Sequence, residues 1–172
     1  TVVGSIKMTR QATRATPEHP LLGIEFSLAV STHASEELVI ARAWRAASDN
    51  HLLVIIPRHE QRGASIARLL EENGLRVTLR TEHRIPSSDT DILIADTTGE
   101  VDDFCAHAKL IFMGGSMVKH GGHNVIEAAA RGKAIIVGPH TDNFKDEVEY
   151  LRSRGALEIA ENEQELASKW AE

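Results

Sequence analysis

Apolar residues in this chain fall into short continuous runs, separated by stretches whose apolar positions recur with a helical period. Ile24–Val30, Leu52–Ile56, Leu75–Leu79, Ile92–Ala95, Lys109–Met113, Ala134–Val137 and Ala156–Ile159 read as buried strands. Between them, Ser35–Ala47, Gln61–Asn73, Glu100–Ala108, His123–Arg131, Phe144–Arg154 and Gln164–Trp170 read as helices. Leu38, Val39, Ala41 and Trp44 give the first helix its apolar face, and Phe144, Val148 and Leu151 do the same for the fifth. Gly74, Gly132 and Gly155 stand where a helix stops. The polar stretch Met8–Gly23, with Pro17 and Pro20, reads as a linker, so residues 1–23 are expected to be an entry segment and 24–172 one domain.

Continuous apolar strands alternating with helices imply a parallel sheet covered on both faces. Right-handed crossovers then make a three-layer, doubly wound, Rossmann-like α/β domain with a parallel sheet of about six strands. Such domains take ligands beyond the carboxyl ends of their strands. The segments to inspect therefore follow Val30, Ile56, Ala95, Met113 and Val137.

Composition narrows the classes. The 172 residues are 42% hydrophobic and 26% charged, an ordinary globular balance. A net charge of −6 argues against a general nucleic-acid binder. The single cysteine, Cys105, cannot form an internal disulfide and fits a reducing compartment; in an amphipathic helix it reads as a small core residue. No apolar run approaches the roughly 20 residues of a membrane span. There is no signal-peptide pattern, but the chain opens on Thr1 and its first residues read as the middle of a longer protein, so that observation carries little weight.

The richest chemistry follows Met113. Gly114-Gly115-Ser116 leads through Lys119-His120-Gly121-Gly122-His123-Asn124 into a helix carrying Glu127. Glycines let backbone N–H groups approach an anion, and a helix start adds partial positive charge. Ser116 and Asn124 can donate or cap, Lys119, His120 and His123 can add positive charge, and Glu127 can accept from sugar hydroxyls. The cluster fits a phosphate and a ribose; the plainer alternative is a glycine-rich connection with a capping Asn. A G-x-G-x-x-G fingerprint does not follow the first strand. His120 and His123 invite a zinc reading, but no third ligand stands near them in sequence, so no metal is expected. After Ile56, Arg58 and His59 leave the strand toward the ligand edge, where a guanidinium suits phosphate or carboxylate. After Val30, Ser31 and Thr32 offer hydroxyls to a ligand, or Thr32 or Ser35 simply caps the helix. Asp96-Thr97-Thr98-Gly99-Glu100 reads as a cap for the helix at Glu100.

Phe112–Ser116, His120–Asn124 with Glu127, and Gly138-Pro139-His140-Thr141 with Asn143-Phe144 closely resemble the 3-deoxy-D-manno-octulosonic acid (Kdo) transferases. Pro57-Arg58-His59, Asp96-Thr97 with Gly99-Glu100, and Gly4–Lys7 resemble further motifs of that family. Ala128 stands where the family usually has proline, and the His33–Glu36 helix start lacks its glycine. The resemblance implies the C-terminal half of a GT-B glycosyltransferase: an inverting, metal-independent enzyme that moves Kdo from CMP-Kdo to lipid A precursor at the cytoplasmic side of the bacterial inner membrane. It implies that Arg58, Gly114, Gly115, Ser116 and the Gly122–Asn124 turn face the phosphate or Kdo, and that Glu127 holds the ribose. No cofactor beyond the CMP-Kdo donor is implied. The catalytic carboxylate and the contact with lipid A precursor are expected in an N-terminal domain outside this chain, which alone should be inactive and stay off the membrane. The alternatives are the donor domain of another GT-B-type enzyme that uses a UDP-sugar, or a non-catalytic nucleotide-binding module.

Overall fold

The computed structural model describes residues 21, 23–47 and 51–172. Most of the linker expected over 1–23, including Gly4–Lys7, lies outside the described residues. Leu21, from that stretch, is buried in the core, and its carbonyl accepts from the Ile24 amide at 2.9 Å. This turn leaves Ile24 exposed and delays the first strand to Phe26.

Seven strands form one sheet: β1 Phe26–Thr32, β2 Leu52–Pro57, β3 Val77–Leu79, β4 Ile92–Ile94, β5 Leu110–Met113, β6 Ala134–Val137 and β7 Leu157–Ile159. Every recorded pairing is parallel, and the order is β3-β4-β2-β1-β5-β6-β7. The count exceeds the expected six by one; β3 and β7, the two edge strands, are only three residues long. Among the described residues five α-helices connect successive strands, none of them between β3 and β4, and a sixth follows β7: α1 Glu36–Ala47, α2 Gly63–Glu72, α3 Val101–His107, α4 Ile126–Ala130, α5 Lys145–Ser153 and α6 Glu163–Ala171.

The apolar runs work on both faces because side chains alternate along a strand. Leu52, Val54 and Ile56 face a core layer containing Phe104, Ala128, Val148 and Leu151, from α3, α4 and α5. Leu53 and Ile55 face the other layer, with Ile40 and Trp44 of α1, Ile66 and Leu70 of α2, and Leu166 and Trp170 of α6. Each such fully buried side chain contributes about 1.5–3 kcal/mol. Cys105 lies in the first layer, where burial pushes its thiol up to about 11, as suits a packing residue. Among the described residues no helix is long and apolar enough to cross a membrane.

The strand order reverses between β1 and β5. From β1 the chain adds β2, then β3 at the edge, then β4 between β3 and β2, and returns to lay β5 against the other side of β1. In an open parallel sheet that reversal splays the loops apart and opens a crevice beyond the carboxyl ends of the two strands.

Candidate functional site

At the end of β1 the pairing with β2 shifts register between Val30 and Thr32, and the extra residue, Ser31, takes a left-handed φ of 58°. This bulge turns Thr32 fully inward, where its hydroxyl donates to Glu37 Oε1 at 3.0 Å. Glu37 is buried too and pairs with Arg62 at 2.8 Å. Thr32 therefore braces the base of the crevice and is shielded from solvent, and Ser35 is also left-handed, at φ 72°. The helix is entered through Glu36. Its amide donates to the His33 carbonyl at 3.1 Å, and its Oε2 accepts from the His33 amide at 2.9 Å, a reciprocal pair that closes the turn into the helix.

Glu36 does more than close this turn. Its Oε2 also accepts from the Gly115 amide at 2.8 Å, and its Oε1 from the amides of Ser116 at 3.0 Å and Met117 at 2.9 Å. The residue has no exposed surface. The backbone nest that the sequence offers to a phosphate is thus filled by the protein's own carboxylate. Gly114 is required just before it. A Cβ there would lie 2.3 Å from the Ser31 carbonyl oxygen, so the β1 bulge and the β5 loop touch backbone to backbone. Ser116 is buried and committed as well. Its hydroxyl donates to the Met113 carbonyl at 2.5 Å and accepts from the Gly138 amide at 2.9 Å, tying the β5 loop to the end of β6.

The expected helix over His123–Arg131 begins only at Ile126. Gly121 and Gly122 are both left-handed, at φ 88° and 79°, which no right-handed helix includes, and the chain needs the residues up to Val125 to recover. Asn124 supports the start of α4, its Oδ1 accepting from the Ile126 amide at 2.9 Å. The glycine turn is clamped by Asn143. Its amide donates to the Gly121 carbonyl at 3.0 Å, and its side chain donates to the His120 carbonyl at 3.2 Å. Glu127 lies exposed in the first turn of the short α4, Lys119 is exposed, and the expected cap for α3 is absent because Asp96 and Thr97 bond to Thr81 and Glu100.

The clamp directs the turn's imidazoles over the crevice, where they meet His33 from the β1 loop. His33 Nε2 lies 2.7 Å from His123 Nε2, with the two rings nearly coplanar. The His120 ring stacks on His33 at 3.7 Å. His59, from the β2 loop, stands edge-on to His33 at 6.3 Å. Arg58 is exposed beside them, its amide held by the Thr32 carbonyl at 3.0 Å. Burial first, then the neighbouring imidazoles and Arg62, push His33 down to about 4. Burial, His120 and Arg58 also lower His123. At neutral pH His33 and His123 are therefore uncharged, beside the exposed Arg58 guanidinium.

The structure thus leaves Ser31, Arg58, His59, Lys119, His123 and Asn124 at least partly exposed on the loops after β1, β2 and β5, with Gly115, Gly121 and Gly122 buried in the β5 loop and Glu127 exposed on α4. It puts Thr32, Gly114 and Ser116 underneath, as framework. His33, Glu36 and Asn143 were not among the candidate contacts. The signal for His33 was available in principle, because it directly follows the strand that borders the reversal in strand order.

No protein-family model matches the chain. It is 35% identical over 136 residues to a 3-deoxy-D-manno-octulosonic acid transferase of Haemophilus influenzae, covering 77% of this chain and 32% of that protein. It is 40% identical over 122 residues to the transferase of the same name from Bordetella pertussis, covering 70% and 28%. The chain thus spans about a third of the length of these relatives. Its fold matches a crystal structure of the C-terminal CMP-Kdo binding domain of WaaA from Acinetobacter baumannii, with a TM-score of 0.79 and 27% identity, covering 95% of this chain and 86% of that one. The β1–β5 crevice, its glycine turn and these matches agree: the chain belongs to the 3-deoxy-D-manno-octulosonic acid transferase family and corresponds to its C-terminal domain.

Proposed function

We propose that this chain is the CMP-Kdo-binding half of an inverting transferase that passes Kdo to lipid A precursor. The observation that carries the reading is the match over 95% of the chain to a domain described as binding CMP-Kdo. The crevice supports it with chemistry suited to an anionic nucleotide sugar. Since Glu36 fills the backbone nest, the donor's phosphate and carboxylate are met by side chains: Arg58, Lys119 and His123, with Asn124 at the turn. Glu127 accepts hydrogen bonds from the ribose hydroxyls. Catalysis is assigned to an N-terminal domain that also reaches the membrane-embedded acceptor on the cytoplasmic side. Until that second wall closes, the crevice stays open to water and cannot position an acceptor.

Calorimetric titration of the chain with CMP, UMP and UDP tests this. CMP is expected to bind the tightest of the three. Tighter binding of UDP or UMP would point to a UDP-sugar enzyme, and no binding of any would remove nucleotide recognition from this domain. Incubation with CMP-Kdo and lipid A precursor is expected to give no product, and turnover by the chain alone would overturn the assignment of catalysis to another domain.

A further inference from the structure

The sequence offers His120 and His123 without a third ligand, and the fold supplies one. His33, distant in the chain, places its ring against both. One ligand nitrogen from each of the three lies within 4.8 Å of the others. We propose that His33, His120 and His123 form a binding site for a single divalent transition cation, zinc being the best fit.

The donor set is chemically coherent. Three neutral imidazoles suit zinc, nickel and copper, and are poor partners for magnesium or calcium, which prefer oxygen. Zinc–nitrogen bonds of about 2.0–2.1 Å at a tetrahedral angle place ligand nitrogens about 3.3 Å apart. His33 Nε2 and His123 Nε2 already meet at 2.7 Å, and side-chain rotation of the three stacked rings would turn their nitrogens toward a common ion. The facing nitrogens now share one proton, and a metal ion replaces it. His120 is the exposed member and is free to swing its nitrogen inward. The framework below is firm. The His33 amide is bonded to the buried Glu36 carboxylate, which also sets a negative charge under the site. Asn143 holds the backbone that carries His120 and His123. Of the two guanidinium groups that act on His33 and His123, Arg62 is paired with Glu37 and Arg58 is exposed to solvent. With three protein ligands the fourth position remains open to water or an anion. No step of transfer is routed through the ion.

The site is tested without nucleotide, so its outcome is separate from that of the donor reading. Metal-free chain is titrated with Co2+ and with Zn2+. One ion per chain is expected, with the visible absorption of low-coordinate, nitrogen-ligated cobalt. His33→Ala and His120→Ala should each weaken zinc binding by about 10- to 100-fold or more, while His83→Ala, at an exposed histidine elsewhere, should not. Binding as tight in the His33 and His120 variants as in the unmodified chain would overturn the site. Should either variant fold poorly by circular dichroism, imidazole NMR of the unmodified chain decides. Zn2+ is expected to shift the ring signals of His33, His120 and His123 and to leave His83 and His107 in place. Any other pattern of shifts excludes the site.

Discussion

Two regions along the carboxyl edge of the sheet, one beyond β3 and β4 and one beyond β1 and β5, handle charge differently. Beyond β3 and β4 lies a cavity of about 770 Å³, lined by charged and hydroxyl groups including Arg80, Asp96 and Glu100. There the charges answer each other. Arg80, almost fully buried, forks onto Glu100 at 2.9 and 2.6 Å, and Thr97 adds a third bond to the same carboxylate. Thr81 donates to Asp96 from its amide and its hydroxyl, at 3.0 and 2.7 Å. In the β1–β5 crevice the negative charge is sealed beneath, in Glu36, while imidazoles and a guanidinium of like character gather above. Paired opposite charges hold a fold together. Like groups gathered at a strand-order reversal, two of them, His33 and His123, with lowered affinity for protons, are left to act on a ligand. Electrical satisfaction discriminates between the two regions.

The comparison can be broken most sharply at Glu36. Glu36→Ala would leave four backbone N–H groups without their acceptor, two of them on the buried residues Gly115 and Ser116, and should cost about 3–5 kcal/mol in urea unfolding. A loss below about 1 kcal/mol would mean that the nest fills with water and that Glu36 is dispensable.

In the other region, Glu100→Gln should cost about 1–3 kcal/mol by stranding the buried Arg80 guanidinium, without changing CMP affinity. Weaker CMP binding would make that region part of the site. The same pair sets an acid response. Hydrogen bonds from Arg80, and then Thr97, hold the Glu100 carboxyl down to about 2 from its ordinary 4.5. Its stabilisation is complete above about 4.5, declines as the unfolded state takes up its proton first, and is gone once the pH falls through about 2. Melting curves across this range should fall less steeply for Glu100→Gln than for the unmodified chain, and equal slopes would assign the acid response to other carboxylates.

Glu127→Ala should weaken CMP binding by about 1–3 kcal/mol in calorimetry, through loss of a charged acceptor. Its stability should change by less than about 0.5 kcal/mol, because the side chain is exposed. Unchanged affinity would take Glu127 out of the site. The smallest expected effect is none at all. At net charge −6 the chain should not sediment with anionic liposomes, and strong sedimentation would place membrane contact in this domain.

Much of the fold was legible in the sequence, because strands buried on both faces must be apolar throughout and crossover helices must alternate with them. Those rules are local and survive in composition. The differences between expectation and structure share one cause. The helix start at His123 was misplaced because Gly121-Gly122 reads equally well as an anion loop or as a left-handed turn. Asn143, 21 residues beyond Gly122, fastens the turn, and nothing in the local sequence says so. Ser116 and Thr32 read as ligand contacts because a hydroxyl's partner is chosen by whatever the fold brings near it.

The sequence by itself determined the layered α/β domain, the glycine turn after β5 and the family to which the chain belongs, since periodicity and short motifs are properties of neighbouring residues. Tertiary structure alone decided who meets whom at the sheet edge. His33 faces His123 across 90 positions, and Glu36 reaches Gly115 across 79. Both encounters exist because β5 returns to pair with β1, which places their loops side by side. That pairing is chosen by the packing of the whole sheet, and it creates both the sealed nest and the open cluster of imidazoles above it.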